Sequence, residues 1–345
     1  MRLETTRNFL FASAAVLAFA SPAFALDGAD VLKKMNAAYH VQGAEITAKS
    51  VATNGDNVTL SGVVIGSGID PAQQFPIGNV TLEGVEEDNG GYTIEKMSFE
   101  NVNYAKEKVA ITIDDLYMTG VVVPADATAN TVDAMLFYDE AHTGPASVKI
   151  DGKEAFSIAE SNATMTKSED GGTLSFDLTA EGFKGDLSGV TDPKSKEAID
   201  ALQLKSLSGD LTVNGSWEVA PGTINVDEYS IDVENVGRLD MSFSISGYTM
   251  AFIKSMQDAV KAQEANPNKE QADQAFGLAM LGLMQQLTFN NAKISFDDAG
   301  ITKRGIDYAA KEQGTTSEQL SQMIKGMAPL MVAQLNIPEL QNAVS

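Results

Sequence analysis

Apolar and polar residues alternate along much of the chain between residues 44 and 248, which is the period of a β-strand. In "LSGDLTVNGSWEV" (207–219) the large apolar residues occupy odd positions, and polar residues fill the even positions between them. Because successive side chains of a strand point to opposite faces of a sheet, such a segment has one apolar and one hydrated face. The pattern predicts antiparallel strands that are covered on one side only.

Turn sequences such as "EEDNGG" and "SEDGG" separate many of these alternating segments. The predicted strands are 46–52, 58–65, 80–85, 92–99, 109–113, 146–150, 156–166, 174–180, 207–219, 223–233, 239–247 and 289–296. Apolar residues at helical spacing instead predict helices at 27–40, 248–265, 268–287 and 316–335. We therefore predict a mainly β protein of the α+β class. It has one or more long curved antiparallel sheets with one apolar face, an N-terminal helix, and a helical C-terminal third packed on the sheet.

The start of the chain has the features of a cleavable signal peptide. A positively charged beginning precedes an apolar run, and "AFA" at 23–25 supplies the small-x-small pattern of a cleavage site. The run is shorter than the roughly 20 residues that span a bilayer, so we predict export to the periplasm and no integral membrane span after cleavage. "PADATAN" (124–130) and Asp192-Pro193 are candidate joints. The predicted parts are a signal peptide (1–25), an N-terminal β half with a leading helix (26–128), a second β half (129–248), and a helical region with one β-hairpin (249–345).

Composition argues against several classes of function. The net charge of −23 disfavours binding to nucleic acid or to anionic lipid headgroups, both of which require clustered Lys and Arg. The chain has no cysteine, which excludes disulfides, thiol catalysis and thiolate metal sites. The sequence contains no G-x-S-x-G, H-E-x-x-H or phosphate-binding glycine motif. His40, after a helix, and His142, in the predicted loop "EAHTGP", are interpreted as surface residues. We predict a protein that is not an enzyme, with no catalytic residue, no metal and no cofactor.

Pairs of acidic or amide residues recur at the ends of alternating segments. The segments are "FENV" (99–102), "IDDL" (113–116), "VENV" (233–236), "FNNA" (289–292) and "FDDA" (296–299). After several of them the apolar positions change parity, which turns later side chains to the wrong face unless an extra residue is absorbed. A β-bulge or turn absorbs it, and Asn and Asp tolerate the backbone angles involved. A metal site or acid–base pair assembled from distant strands is the alternative.

Methionine is concentrated in the last third of the chain, where "FGLAMLGLM" (276–284) is apolar on nearly all sides. Flexible thioether side chains form adaptable surfaces for varied ligands, although they also fill gaps between helices and a sheet. The candidate apolar contact surface combines the alternating strands with these helices. Its members are Leu211, Val213, Trp217, Met241, Phe243, Phe276, Met280, Met284, Met323, Met327 and Met331.

The stretch "LTFNNAKISFDDAGITKRGIDYAAKEQGTTSEQLSQMIKGMAPLMVAQLNIPEL" (287–340) resembles the C-terminal part of alphaproteobacterial exported proteins of unknown function. The one-sided strands with acidic ends also resemble those of the AsmA-like and YdgA-like envelope families. That resemblance implies long cupped sheets with an apolar inner face, and a role in lipid handling or envelope maintenance. The cleavable signal differs from the retained anchor of the AsmA pattern.

Two functions fit these observations. The first is a non-enzymatic periplasmic protein that binds or handles a lipid or other amphiphile on its one-sided apolar sheet. The second is a structural or interaction protein of the cell envelope that contacts a protein partner through its acidic surface. An open apolar face favours the first, and a face sealed by the helices favours the second.

Overall fold

The computed structural model describes residues 26–41, 44–67, 74–129 and 131–335. Residues 1–25, the predicted signal peptide, lie outside the described residues. The strands are β1 (Ala44–Thr47), β2 (Ser50–Asn54), β3 (Asn57–Ser67), β4 (Gln74–Asp88), β5 (Gly91–Phe99), β6 (Val102–Lys106), β7 (Val109–Ile113), β8 (Tyr117–Val123), β9 (Glu140–Thr143), β10 (Ala146–Ile150), β11 (Lys153–Ile158), β12 (Glu160–Lys167), β13 (Thr173–Asp186), β14 (Ser206–Glu218), β15 (Thr223–Val233), β16 (Gly237–Ser246) and β17 (Thr288–Asp298). The α-helices are α1 (Gly28–Val41), α2 (Pro193–Leu202), α3 (Met250–Ala265), α4 (Lys269–Met284), α5 (Ile301–Glu312) and α6 (Ser317–Leu335).

All 17 strands belong to one antiparallel sheet that winds up and down in chain order. Several long passes are broken into two consecutive strands. The first pass, β1 followed by β2, pairs with β3, and β3 pairs with β4. The next four passes are β5 followed by β6, β7 followed by β8, β9 followed by β10, and β11 followed by β12, and each pairs with the pass before it. From there β13, β14, β15, β16 and β17 follow in order. The sheet is open, with β1 and β2 at one edge and β17 at the other.

The predicted mainly β fold with antiparallel strands is confirmed. The pairings of β5 with β8 and of β9 with β12 carry the sheet across the predicted boundary between residues 128 and 129. Both β halves are therefore parts of one continuous sheet, because hydrogen bonding does not stop at the loop between them.

The structure differs from the sequence prediction at several places. The stretch at Asp192-Pro193 is not a joint but the start of α2, where the Asp192 carboxylate accepts a hydrogen bond from the Ser195 N–H at 2.8 Å. Asp before Pro is a helix-start signal, with Pro at the first position. The predicted C-terminal hairpin is a single strand, β17, which pairs with β16. The sequence pattern does not predict β8, because the alternation of apolar and polar residues breaks at Gly120, whose φ is +59°.

The acid and amide pairs are bends, bulges or turns, as the parity changes predicted. The "FENV" and "IDDL" segments separate β5 from β6 and β7 from β8, and "VENV" forms the turn after β15. In "FNNA" the register with β16 shifts by one residue, which makes Asn290 the extra residue of a bulge. In "FDDA" the strand ends at Asp298, whose side chain accepts a hydrogen bond from the Thr302 N–H at 3.0 Å and so begins α5.

Side chains of neighbouring strands stabilise several of these irregular positions. The N–H of Gly62, whose φ is +62°, donates to the Asn79 side chain at 3.0 Å. The N–H of Gly182, whose φ is +60°, donates to the Asp210 carboxylate at 2.7 Å, where the β13–β14 register shifts. A bulge leaves a backbone N–H outside the ladder, and an adjacent carboxylate or amide satisfies it.

Helix α1 seals the first part of the sheet. Val31 and Met35 lie in the main core, which is built from the apolar residues of β3, β4, β5 and β8. At its start, the Tyr92 hydroxyl donates to the Asp30 carboxylate at 2.8 Å, and Lys34 pairs with the same carboxylate at 2.7 Å. These hydrogen bonds, from Lys34 first and then from Tyr92, lower the pKa of Asp30. Burial and the bond to Asp30 raise the pKa of Tyr92 to about 12.

The C-terminal helices pack at the two ends of β14–β17. At one end, Ile253 of α3 packs on Leu174 and Trp217 of the sheet, and α4 packs on α3. At the other end α5 packs on α2 and on α6, and the Arg304 guanidinium donates to the Leu202 carbonyl at 2.8 Å. None of the helices in the described ranges is both long enough and apolar enough to cross a membrane.

The Gly182→Ala substitution tests whether the bulge requires glycine. A side chain at this left-handed backbone position costs about 1–2 kcal/mol, and its Cβ would lie 3.0 Å from the Ala159 Cβ. We expect the free energy of unfolding to fall by about that amount in urea denaturation. Gly189→Ala, where nothing lies within 4 Å, is the control and should leave stability unchanged or raise it by less than about 1 kcal/mol. Equal effects of both substitutions would contradict the bulge argument.

The Tyr92–Asp30 contact predicts loss of stability in alkali. The pKa of Tyr92 is raised to about 12 in the folded state, above the value of about 10 for an unfolded tyrosine. Its contribution is therefore fully present below about pH 10 and is lost as the pH rises toward 12. Tyr92→Phe removes the titrating hydroxyl, so the free energy of unfolding of the variant should fall less over this range. Parallel curves for the two proteins would contradict the assignment.

Candidate functional site

One row of apolar residues crosses almost the entire sheet on a single face. Directly opposed residues of neighbouring strands point to the same side, so the register identifies the members of the row. They are Val58, Leu82, Met97, Met118, Ala141, Ala163, Leu178, Val213, Tyr229, Met241 and Ile294. We call this the long apolar row. It shows that the first and second halves of the sheet share one continuous apolar face.

The long apolar row is sealed at one end and exposed at the other. Val58 and Leu82 have no exposed surface, because α1 and the neighbouring strands cover them. Further along, Leu178 is 36% exposed, and Ile294 on the last strand is 69% exposed. Val213, Tyr229 and Met241, which lie between them, are half-buried. The same face therefore serves as a closed core near α1 and as a partly exposed apolar surface across β13–β17.

Rows on either side of the long apolar row complete this surface. One row runs through Phe176, Val226, Phe243 and Ala292, and the other through Ala180, Leu211, Ile231, Leu239 and Phe296. We call these two rows, together with Leu178, Val213, Tyr229, Met241 and Ile294, the open face. None of its members carries a charged side chain.

The fourth row, through Leu174 and Trp217, closes one end of the open face. Trp217 is 7% exposed, its indole Nε1 donates to the Tyr248 carbonyl at 2.9 Å, and its ring meets that of Tyr248 edge-on at 6.0 Å. Met135 and Phe137, from the loop before β9, pack on the same cluster. Trp217, the only tryptophan in the chain, therefore lies at the buried margin of a partly exposed apolar surface.

The structure brings together the sheet members of the predicted contact surface and separates them from the helical ones. Leu211, Val213, Met241 and Phe243 belong to the open face, and Trp217 lies at its end. Met284 on α4, and Met323 and Met327 on α6, are exposed on helices that pack on α3 and α5, respectively. Phe276 and Met280 are half-buried on α4. The side chain of Met331 lies outside the described residues.

A family model described as an uncharacterized protein matches residues 230–345. No curated protein and no solved structure matches the chain. The matched range contains β16, β17 and helices α3–α6, and it includes the stretch 287–340 in which the sequence resemblance lies.

A cleft of about 1180 Å³ borders the open face. It lies next to the start of β9, and its lining includes Val122, Phe137 and Met165. Met165 is the cross-strand neighbour of Phe176, the first residue of an open-face row. The cleft therefore lies between the middle of the sheet and the open face, and the sequence does not predict it because its walls come from four separate segments, 88–93, 119–125, 132–140 and 164–167.

The opposite face carries a hydrogen-bonded cluster around His142, whose interpretation as a loop residue is wrong. His142 is part of β9, its side chain is 13% exposed, and its ring stacks on Tyr117 with centroids 4.8 Å apart. Its Nδ1 lies 2.7 Å from the Asn162 side-chain oxygen. The pKa of Tyr117 is raised, first by burial and then by the hydrogen bond that its hydroxyl donates to Glu140. These side chains contact one another across neighbouring strands, and the cluster therefore has a structural role.

Among the residues that the structure describes, no group of three or more His, Asp or Glu side chains is placed to hold a metal ion. Those residues also leave no buried side-chain nitrogen or oxygen without a hydrogen-bond partner. The members of the open face are uncharged and mostly apolar, and such a surface binds through hydrophobic burial at about 25 cal/mol per Å².

A matched pair of substitutions in the long apolar row tests the change from sealed to open. Leu82→Ala leaves a cavity in the closed core and should lower the free energy of unfolding by about 2–5 kcal/mol. Leu178→Ala removes the same atoms from a partly exposed position and should cost less than about 1.5 kcal/mol. Denaturant titration of both variants measures the difference. Similar costs would mean that the open face is covered in solution.

Proposed function

We propose that this protein is a non-enzymatic periplasmic binding protein for a lipid or other long-chain amphiphile, which lies on the open face. The observation that carries the proposal is the long apolar row, which is sealed under α1, half-buried on β14–β16 and exposed at Leu178 and Ile294. Exposed apolar patches of this extent mark sites for ligands, partners or membranes, because leaving them in water is costly.

The dimensions and polarity of the open face fit an extended hydrocarbon chain. Five neighbouring strands at about 4.8 Å spacing give a track of about 19 Å across β13–β17. The track is uncharged, whereas the opposite side of the same strands is lined by Asp, Asn, Thr and Ser, such as Asp177 and Asn214. An alkyl chain gains burial on the track, while a polar headgroup stays hydrated in the cleft.

Features of the sequence also support a lipid-handling role in the periplasm. The predicted signal peptide favours export, and the resemblance to AsmA-like and YdgA-like envelope proteins favours lipid handling over catalysis. The net charge of −23 disfavours adhesion to anionic headgroups, which makes extraction of single amphiphiles more suitable than docking on a membrane surface.

Quenching of Trp217 fluorescence by a brominated long-chain fatty acid tests the proposal. A bound chain on the open face would place bromine near Trp217, so emission should fall with saturable dependence on concentration. Leu178→Asn places an amide on the open face and should weaken binding about tenfold, because the amide loses hydration without gaining a partner.

Thr179→Asn is the matched control, since it changes the next residue of the same strand, which points to the opposite face. It should bind the probe as the unmodified protein does. Absence of saturable quenching would count against the proposal, as would equal weakening by both variants. Organic extraction of the natively purified protein, followed by mass spectrometry, should then identify the resident amphiphile.

A further inference from the structure

The two edges of the sheet are treated differently. At the first edge, α1 packs on β1, and the Asn36 side chain accepts a hydrogen bond from the Ile46 N–H at 3.0 Å. At the other edge, β17 pairs only with β16 within the described ranges, and all eleven of its residues are exposed. Ile294 and Phe296 project from it with 69% and 45% of their surfaces exposed. An uncovered edge strand presents unpaired backbone groups that template the addition of another strand.

The register with β16 shows which backbone groups of β17 point outward. Just past the end of the strand, the Ala299 N–H donates to the Val236 carbonyl at 3.1 Å. Because hydrogen bonding alternates along an antiparallel strand, Asp297, Ser295 and Lys293 also bond toward β16. The N–H and C=O groups of Ile294 and Phe296 therefore point away from the sheet and are available to a further strand.

We propose that two copies of this chain associate through their β17 edges, antiparallel and around a two-fold axis at Ser295. In this register Ile294 of one copy forms hydrogen-bonded pairs with Phe296 of the other, which uses the outward backbone groups on both strands. Lys293 of each copy lies opposite Asp297 of the other, so two ion pairs form symmetrically.

Charge complementarity selects this register over its neighbours. With the axis at Lys293, two lysines would face each other across the interface, which is unfavourable. With the axis at Ile294, Lys293 would face Ser295, and no ion pair would form. Only the axis at Ser295 matches the outward backbone groups and also pairs each Lys293 with an Asp297.

The same register continues the apolar face across the interface. Met241 and Ile294 of one copy are followed in the row by Phe296 and Leu239 of the other, because cross-strand neighbours share a face. The exposed side chains at the edge thereby gain neighbours on both sides. This association does not depend on the proposed ligand, since the backbone pairing and the ion pairs are made by the protein alone.

Sedimentation velocity over a concentration series, at about 0.15 M ionic strength, measures the association. The Debye length of about 8 Å under these conditions screens repulsion between the two acidic molecules more than it screens direct pairs. We expect reversible dimers of the unmodified protein. Lys293→Asp, which opposes Asp297 with a second carboxylate, and Asp297→Lys, which opposes two lysines, should each weaken dimerisation about tenfold or more.

Mixing the two variants provides the decisive control. A heterodimer of Lys293→Asp with Asp297→Lys restores both ion pairs, with the two carboxylates on one copy and the two lysines on the other. The mixture should therefore dimerise at least about tenfold more tightly than either variant alone. Circular dichroism and Trp217 fluorescence should show that both variants remain folded.

A protein that stays monomeric throughout the series would overturn the proposal. So would dimers that are unaffected by both charge reversals, or variants that fail to associate when mixed while remaining folded. Because fatty-acid quenching is measured on the monomeric variants as well, failure of this interface and failure of the proposed ligand binding can be told apart.

Discussion

The whole structure depends on keeping apolar side chains on one face through every pass of a long sheet. The period of a strand is two, so an unmatched insertion of one residue would move all later apolar residues into water. The long apolar row, from Val58 to Ile294, shows that this sidedness persists across the sheet. It gives the molecule its core near α1 and its open face near β17.

Bulges and bends make this possible in a sequence whose apolar parity changes repeatedly. Glycines at positive φ, such as Gly62 and Gly182, supply backbone angles that other residues reach only at a cost. Carboxylates and amides on the next strand then accept the displaced N–H groups, as Asn79 and Asp210 do. Many acidic residues of this chain therefore organise the backbone, which offers a structural reason for part of its acidity.

The difference between the two ends of the sheet is a difference in what packs on them. Helix α1 closes one end and is held there by the bonds of Asp30 to Tyr92 and Lys34. At the other end α3 covers only the margin at Trp217, and the rows beside it remain partly exposed. Within the part of the chain that the structure describes, a partly exposed apolar face and an uncovered edge strand meet at β17, where the proposed amphiphile and the proposed second copy would each reduce exposed surface.

The sequence by itself determined the strand-rich class, the one-sided alternation and the role of the acid and amide pairs, because parity and turn chemistry are local properties. The alternation alone therefore predicts that Leu211, Val213 and Met241 lie on one face. The sequence also contains the Asp192-Pro193 helix signal, which is a local signal for the start of α2 and not for a joint. Only the tertiary structure decided that α1 seals one end, that His142 lies within a strand, and that the methionines of α4 and α6 stand apart from the open face. Burial depends on which distant segment packs on a surface, and no local pattern specifies that partner.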